Sequence, residues 1–318
     1  MQKHFPGFYP LEEVRIKDLT KEATIVLNSD VLLDLFRLRP EDAACFVSLL
    51  KSEAIRDKLW MPYDIAWLYH KKVDEEIQRQ IDHINSVLSH LSSCGEAIKA
   101  CKRYPYLEEK LIRELQSVIS RVAETCQKEM DTLSKSLKNS EIKNSLRELF
   151  DGKIGEPYNK SELENVYQTG EERYKNAEPP GYESEYSVEK RIRYHDLIIW
   201  EQMLAYAQNG ENKCKGILFV TGKARPDWYY VVNGKVISTR HELINEFMQK
   251  VNETRSNADK FFYCMSSKRL VEIIGSEYRV VHPGLVHLKE ILQEEIVYAS
   301  LNADGMQNNQ TVIPVRNE

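Results

Sequence analysis

The chain lacks most of the short motifs that assign a function by themselves, and their absence excludes several classes of protein. It holds no P-loop, no G-x-G-x-x-G dinucleotide motif, no G-x-S-x-G elbow and no H-E-x-x-H zinc motif. Its six cysteines include no C-x-x-C pair, so we expect reduced packing thiols and neither a zinc nor a disulfide framework. No apolar run approaches the roughly 18 residues of a membrane span, and no apolar signal core stands near the first residue. These absences predict a cytoplasmic protein that does not contact a membrane.

Neither sign of charge dominates the sequence. The 44 Lys and Arg residues and 49 Asp and Glu residues give a net charge of −5. No global positive field therefore attracts nucleic acid, although a local basic groove is compatible with this balance. The charged fraction of 29% indicates much exposed helix. A length of 318 residues accommodates two domains, or one domain with a large insertion.

The first 72 residues alternate between strand-like and helical patterns. An apolar run at residues 23–27 leads directly into a helix, and a second helix covers residues 41–51. A second apolar run at residues 58–61 ends at Pro62, and a further helix begins near Asp64. This order of strand, helix, strand and helix predicts parallel strands joined by right-handed crossovers.

Residues 73–150 predict two long helices that fold back on each other across a turn at Pro105. Apolar residues recur there with heptad spacing, interrupted by a one-residue slip before the last three: Ile77, Ile81, Ile84, Leu88, Leu91, then Ile112, Leu115, Ile119, Val122, Cys126, then Met130, Leu133 and Leu137. The polar faces fit either a solvated surface or an oligomer contact. A coiled-coil-like helical insertion follows from this pattern.

The stretch from 193 to 230 organises the rest of the chain. It predicts an amphipathic helix, a polar turn, a buried strand with the sequence GILFVT, and a loop. Ligands of open α/β sheets bind beyond the carboxyl ends of the strands. We therefore expect Asp196 and the loop 222–227 to face the same crevice as Asn28, Ser29 and Asp30. The latter three fit a helix cap and a ligand site equally well.

The remaining segments predict smaller elements. An Asn233-Gly234 turn indicates a hairpin, and residues 241–252, 267–274 and 283–300 predict helices around a strand at 260–265. The expected division of the chain is a first part at 1–72, a helical insertion with a Pro- and Gly-rich return at 73–192, a second part at 193–302 and a loose tail at 303–318.

Many separate segments together resemble one known family. In chain order they read VLNSDVLLDLFRL, WMPYDIAWLYHKK, FDGKIGEP, ERY, EPPGY, RYHDLIIWEQML, ILFVTGKARPDWYY, ELINEFM and FFYCMSSKRLVEI. This series is similar to the large bacterial PIN-like domain family. The resemblance implies an α/β fold in which helices flank a Rossmann-like parallel sheet of four or five strands, with a long helical-hairpin insertion. It also implies nuclease ancestry and a setting in bacterial antiviral defence or toxin systems.

The chemistry of that family is metal-dependent hydrolysis of phosphodiesters, in which clustered carboxylates hold Mg²⁺ or Mn²⁺. Several positions of this chain depart from the family's acidic motifs. Asn28-Ser29-Asp30 stands for Asp-Thr-Asn, Leu68 for Glu, Ser184 for Asp, and Gly222-Lys223 for an Asp-Asp pair, while Asp196, Asp227 and Trp228 are retained. A single carboxylate does not hold Mg²⁺ in water, and Lys223 disfavours a cation while favouring a phosphate.

The leading hypothesis is a PIN-like protein with lost or impaired catalysis. It would bind RNA, DNA or a partner protein, the latter through the helical insertion, would need no cofactor, and would be able to form a homo-oligomer. Its binding residues would be Asn28, Ser29, Lys223 and Arg225. A structural role for the pair Asp227-Trp228 also fits this hypothesis.

The alternative hypothesis is an active endonuclease with a rearranged acidic site. Asp196, Asp30 and Asp227 would then be catalytic. Asp196, Asp30 and Glu185 would hold Mg²⁺ or Mn²⁺.

A basic patch at residues 70–72 fits a helix surface or an edge that contacts nucleic acid.

Overall fold

The structure is a computed structural model whose contacts divide the chain into two compact units. One unit comprises Met1–Tyr69 with Leu146–Glu318, and the other comprises His70–Ser145. The described residues are 1, 6–9, 13–100, 108–182, 187–210, 212, 215–252, 260–277, 283–292, 295–297 and 312–314. Within these ranges, no helix combines the length and the apolar character that crossing a bilayer requires.

The first unit surrounds a central sheet of three strands with helices, and it also contains shorter strands outside that sheet. Its strands are β1 (Thr24–Leu27), β2 (Gly216–Thr221), β3 (Lys223–Ala224), β4 (Tyr229–Val232), β5 (Lys235–Thr239), β6 (Phe261–Ser266), β7 (Glu295–Val297) and β8 (Val312–Pro314). Its helices are α1 (Glu13–Glu22), α2 (Ser29–Asp34), α3 (Pro40–Lys51), α4 (Glu53–Arg56), α8 (Lys160–Lys175), α9 (Lys190–Arg193), α10 (His195–Gln208), α11 (His241–Val251), α12 (Ser267–Glu277) and α13 (Leu285–Ile291). A 3₁₀ turn at Pro6–Phe8 precedes them. Helices α5 (Tyr63–Ala100) and α7 (Glu141–Phe150) each contain residues of both units.

The central sheet is parallel and has the order β1-β2-β6. β2 lies in the middle, and all six of its residues are buried. A strand covered on both faces reads as a continuous apolar run, as GILFVT does. The parallel α/β class is therefore confirmed, and the carboxyl ends of β1 and β2 meet at one edge.

The predicted count of four or five strands is wrong for the described residues, where the parallel sheet has three. The stretch 58–61 forms two isolated parallel bridges, Ile25↔Leu59 and Met61↔Ile154. Trp60 N donates to Ile25 O at 3.1 Å, whereas Met61 N donates to Lys153 O at 3.0 Å. The stretch therefore contacts β1 on one side and residues 153–155 on the other, but each contact is a single bridge and does not extend into a ladder.

Helix α10 forms the centre of the core. The sequence predicts an amphipathic helix, but its surface is buried almost all round, from His195 to Leu204 with only Glu201 half-exposed. Trp200 packs edge-on against Phe262 with ring centroids 4.8 Å apart. Trp228 tilts against Phe219 at 4.4 Å. These rings bury Trp228, and they hold the loop after β2 against α10.

Two outer segments differ from expectation. The Pro- and Gly-rich return contains a 16-residue helix, α8, because Asn159 and Glu162 form a capping box at its start. The helix predicted over 283–300 ends at Ile291, since residues 295–297 form β7, which finds backbone partners in β3 and β8. The hairpin predicted at Asn233-Gly234 is present as β4 and β5.

The second unit contains most of α5 together with α6 (Glu109–Lys138). A Cβ on Gly95 of α5 would lie 3.4 Å from Ile119 Cδ1 of α6, so the two helices pack closely here. Ala123 is half-buried, whereas Val122 is 37% exposed. The one-residue slip in the heptad spacing therefore falls at an earlier helical turn than predicted, where it preceded Met130. The predicted turn at Pro105 lies outside the described residues.

A substitution at the middle of β2 tests its central place. Leu218 has no exposed surface, so Leu218→Ala leaves a cavity and is expected to lower the free energy of unfolding by about 2–5 kcal/mol. The matched control is Ile237→Ala, at a side chain that is 55% exposed, with an expected change within about 0.5 kcal/mol. Urea unfolding measures both, and equal losses would contradict a central β2.

Candidate functional site

The ends of β1 and β2 bring polar residues to one edge of the sheet, as predicted. Asn28 follows β1, and its backbone N–H donates to Val220 O of β2 at 2.8 Å. The Asn28 side chain accepts from Ser29 N at 2.8 Å, which caps α2. Asn28 and Ser29 are both buried. The Asn28 side chain therefore acts as the cap of this helix.

Asp30 faces the end of β2 and is held by hydrogen-bond donors. Its Oδ2 accepts from Thr221 Oγ1 at 2.8 Å and from Gly222 N at 3.2 Å. Its Oδ1 accepts from Val31 N at 2.7 Å. Burial raises the pKa of Asp30 above its ordinary value, and the bonds from Thr221 and Gly222 oppose this rise. Both carboxylate oxygens are thus committed to protein donors.

An arginine lies between the two retained acids. Arg225 Nη2 lies 2.7 Å from Asp196 Oδ1, and Arg225 Nε lies 3.6 Å from Asp227 Oδ1. Trp228 Nε1 also donates to Asp196 Oδ1, at 3.3 Å. Both acids are buried, and Asp227 has no exposed surface. The guanidinium therefore supplies the positive charge that these two carboxylates share.

One cation between two acids leaves the charge of the group unbalanced. Burial raises the pKa of Asp227 to about 6, with Arg225 opposing the rise and Asp196 adding to it. For Arg225, burial acts to lower the pKa, but the charges of Asp196 and Asp227 outweigh it and raise the pKa.

The Pro-Pro-Gly turn completes the surroundings of Asp227. Gly181 N donates to Asp227 Oδ2 at 2.7 Å. Gly181 adopts a positive φ of 96°, and a Cβ there would overlap Tyr174 Oη and approach Asp196 Cβ to 3.0 Å. Only glycine combines this backbone conformation with such a close approach.

Asp34 is an acid of this edge that the sequence reasoning missed. It stands one helical turn after Asp30 on α2. The i, i+4 spacing of the two acids in the sequence could have indicated that they lie on the same helix face. A Cβ on Gly222 would lie 2.8 Å from Asp34 Oδ2 and 3.8 Å from Asp30 Oδ2. Asp34 Oδ1 accepts from Arg37 Nη1 at 2.7 Å. The two carboxylates thus approach the same glycine.

Two further acids in this unit, one buried and one half-buried, are also paired with arginine. Arg191 donates to both oxygens of Asp64, at 2.8 and 3.0 Å. Arg173 donates to both oxygens of Glu246, each at 2.8 Å, and to Pro179 O. Although burial acts to raise it, the bonds and charge of Arg173 hold the pKa of Glu246 below its ordinary value. No sequence spacing indicated these pairs.

The other predicted positions divide into three cases. Lys223 is half-buried beside Thr221, where its backbone N–H donates to Thr221 Oγ1 at 3.3 Å. Leu68 is buried and offers no carboxylate, as the sequence indicates. Ser184 and Glu185 lie outside the described residues.

The acids present do not fit a divalent metal ion. Among the described residues, no group of three or more His, Cys, Asp or Glu side chains is arranged to hold one. Asp30 is occupied by hydroxyl and amide donors, and Asp196 and Asp227 by a guanidinium. A hard cation requires several free oxygens. Arg225 instead places a fixed positive charge among them.

A parallel sheet with acids from α2, α10 and the loop after β2 at its carboxyl edge defines a nuclease-like α/β fold. A family model described as a PIN-like domain matches residues 24–243. The chain therefore belongs to the PIN-like domain family, and the resemblance seen in the sequence is confirmed. Neither the curated proteins nor the solved structures include a match to this chain.

The burial of Asp227 predicts a pH-dependent contribution of this acid to stability. Its folded pKa of about 6 lies above the ordinary 3.8, so between these values the folded protein keeps a proton that the unfolded chain releases. The contribution is fully present below about pH 4 and is lost as the pH rises through 6. Its expected size is at most about 3 kcal/mol.

Comparison with Asp227→Asn measures this term. Asparagine keeps an oxygen that accepts from Gly181 N but does not titrate. Urea unfolding of both proteins from about pH 4 to pH 7 is expected to show the native protein losing stability relative to the variant. A difference that stays constant with pH would contradict the prediction.

Proposed function

We propose that this PIN-like protein acts by binding and has lost metal-dependent hydrolysis of nucleic acid. The observation that supports this proposal is the Arg225 guanidinium, 2.7 Å from Asp196 and 3.6 Å from Asp227. It occupies the side of these acids that a catalytic cation would need. The departures at Asn28, Gly222 and Lys223 remove further oxygens from the same edge.

The energetics favour arginine over metal at this place. Mg²⁺ gives up its water ligands reluctantly and needs several anionic oxygens in return. To enter, it would have to displace Arg225, which is mostly buried and would lose both ion-pair partners. Leaving one partner of a buried ion pair uncompensated costs about 3–5 kcal/mol. The two acids that remain do not offset that cost.

Lys223 of this edge suits an anionic ligand. It follows the central strand after Gly222 and is half-buried, whereas Arg225 already shares its charge between Asp196 and Asp227. In a nuclease-like fold the ligand that reaches this edge is a nucleic acid, whose phosphates a lysine contacts as a point charge. The proposal includes a role as a subunit of a bacterial defence or toxin system, and this part of it rests on the family resemblance alone.

Metal-dependent thermal stability tests the proposal. In EDTA, Arg225→Gln is expected to lose about 3–5 kcal/mol of stability, because two buried carboxylates lose their cation. Millimolar Mn²⁺ is expected to raise the melting temperature of this variant and to leave the native protein unchanged. The matched control is Arg173→Gln, which affects a single acid, Glu246, that stays paired with Lys250 at 3.0 Å, so this variant should gain nothing from Mn²⁺. Equal stabilisation of the native protein by Mn²⁺ would refute the proposal.

An active endonuclease is the second candidate, and the approach of Asp30 and Asp34 to Gly222 favours it. Labelled RNA and DNA incubated with Mn²⁺ decide between the two. The proposed function predicts no more cleavage by the native protein than by Asp196→Asn. Cleavage that both Asp196→Asn and Asp34→Asn abolish would establish the enzyme and would assign Asp34 to its site.

A further inference from the structure

The first turns of α5 and the short helix α9 form a surface in which cations lie on aromatic rings. Tyr63 and Trp67 are one helical turn apart on α5, and both are half-buried. The Arg191 guanidinium of α9 lies 4.4 Å from the centroid of Trp67 and 5.6 Å from that of Tyr63. At these distances the guanidinium is attracted to the ring faces through cation–π interaction.

A fully buried carboxylate holds Arg191 in this orientation. Asp64 accepts from Nε and Nη2 of Arg191, while its own backbone N–H donates to Gln202 Oε1 at 3.2 Å. The bonds from Asp64 raise the pKa of Arg191 against the effect of burial. Within the described part of the chain, Nη1 has no protein acceptor. A pre-oriented donor of this kind binds an anionic oxygen with little further loss of side-chain freedom.

Lys190, the residue before Arg191, repeats this cation–ring contact at the surface. Lys190 Nζ lies 5.6 Å from the ring centroid of Tyr167, which is half-buried on α8. Lys190 also lies 3.5 Å from Glu164, with both side chains more than half exposed. An exposed pair of this kind contributes little, so a phosphate can replace Glu164 as the partner of Lys190.

We propose that Tyr63, Trp67, Tyr167, Lys190 and Arg191, the aromatic–basic strip, bind single-stranded nucleic acid. Unpaired bases stack on the guanidinium plane and on the exposed parts of the rings, and phosphate oxygens accept from Arg191 Nη1 and Lys190. This proposal rests on the proposed function, which is binding without hydrolysis, and it names the surface at which the nucleic acid binds.

The chemistry favours a single strand over a duplex or an acidic peptide. The flat groups of the strip contact bases only where bases are unpaired. Its two cations are balanced formally by Asp64 and Glu164, so electrostatic attraction alone is weak. An acidic peptide would use the same two cations but would leave the rings without partners. We therefore expect stacking to supply most of the affinity, with a shallow salt dependence of about one phosphate contact.

Fluorescence anisotropy with labelled 12-nucleotide RNA and DNA single strands, in EDTA, tests the strip without any cleavage. The variant Tyr167→Leu/Lys190→Gln changes two side chains that the fold does not bury fully, and its expected dissociation constant is about tenfold higher. The matched control is Tyr230→Leu/Lys235→Gln on the β4–β5 hairpin, which also removes one exposed aromatic ring and one lysine. It is expected to bind like the native protein.

A second variant separates stacking from charge. Arg191→Lys keeps the positive charge beside Asp64 but loses the planar group, and we expect it to weaken binding severalfold at an unchanged salt slope. A melting curve in the same buffer checks that it is folded. Lys190→Gln alone is expected to reduce the salt slope by about one contact.

Three outcomes would overturn the proposal. They are equal affinities of the strip variant and the hairpin control, tighter binding of the matching duplex than of the single strand, and binding of a polyglutamate peptide as tight as that of RNA. If the native protein cleaves RNA in Mn²⁺, the proposed loss of catalysis fails. The metal-free affinities still decide whether the strip binds, so the two failures are distinguishable.

Discussion

The contact of Arg225 with Asp196 and Asp227 is the constraint on which this site depends. The two acids come from α10 and from the loop after the central strand, and both are buried with little water to screen them. Without a cation between them, their repulsion and desolvation would oppose the packing of that loop on α10. Trp228 adds to the same contact, since its ring fills the core and its Nε1 donates to Asp196.

An acid is paired with an arginine at two other places in this unit. Arg191 with Asp64 joins α9 to α5, and Arg173 with Glu246 joins α8 to α11. Each pair is bidentate, which fixes orientation as well as charge. The segment between the helical insertion and α10 is thereby attached to the rest of the unit through guanidinium groups. This segment contains few long apolar runs of its own.

Local signals in the sequence determined the parts of the fold that were predicted correctly. The run GILFVT, the Asn233-Gly234 turn and the polar residues after β1 need no distant partner to be recognised. Other signals were local but unused, such as the capping box at Asn159 and the one-turn spacing from Asp30 to Asp34. The pairing of Arg191 with Asp64 joins residues 127 positions apart. Charge alone does not show which of many acids a given arginine meets.

Arg225 also shows how a PIN-like domain can keep buried acids at this edge without a metal ion. In a metal site the cation offsets the repulsion of the carboxylates around it. If the metal were lost while the acids stayed, their burial would be uncompensated. Arg225 lies within the chain itself, so its charge is present at every step of folding and at any metal concentration. A protein with such an internal cation keeps the shape of this edge without a metal ion.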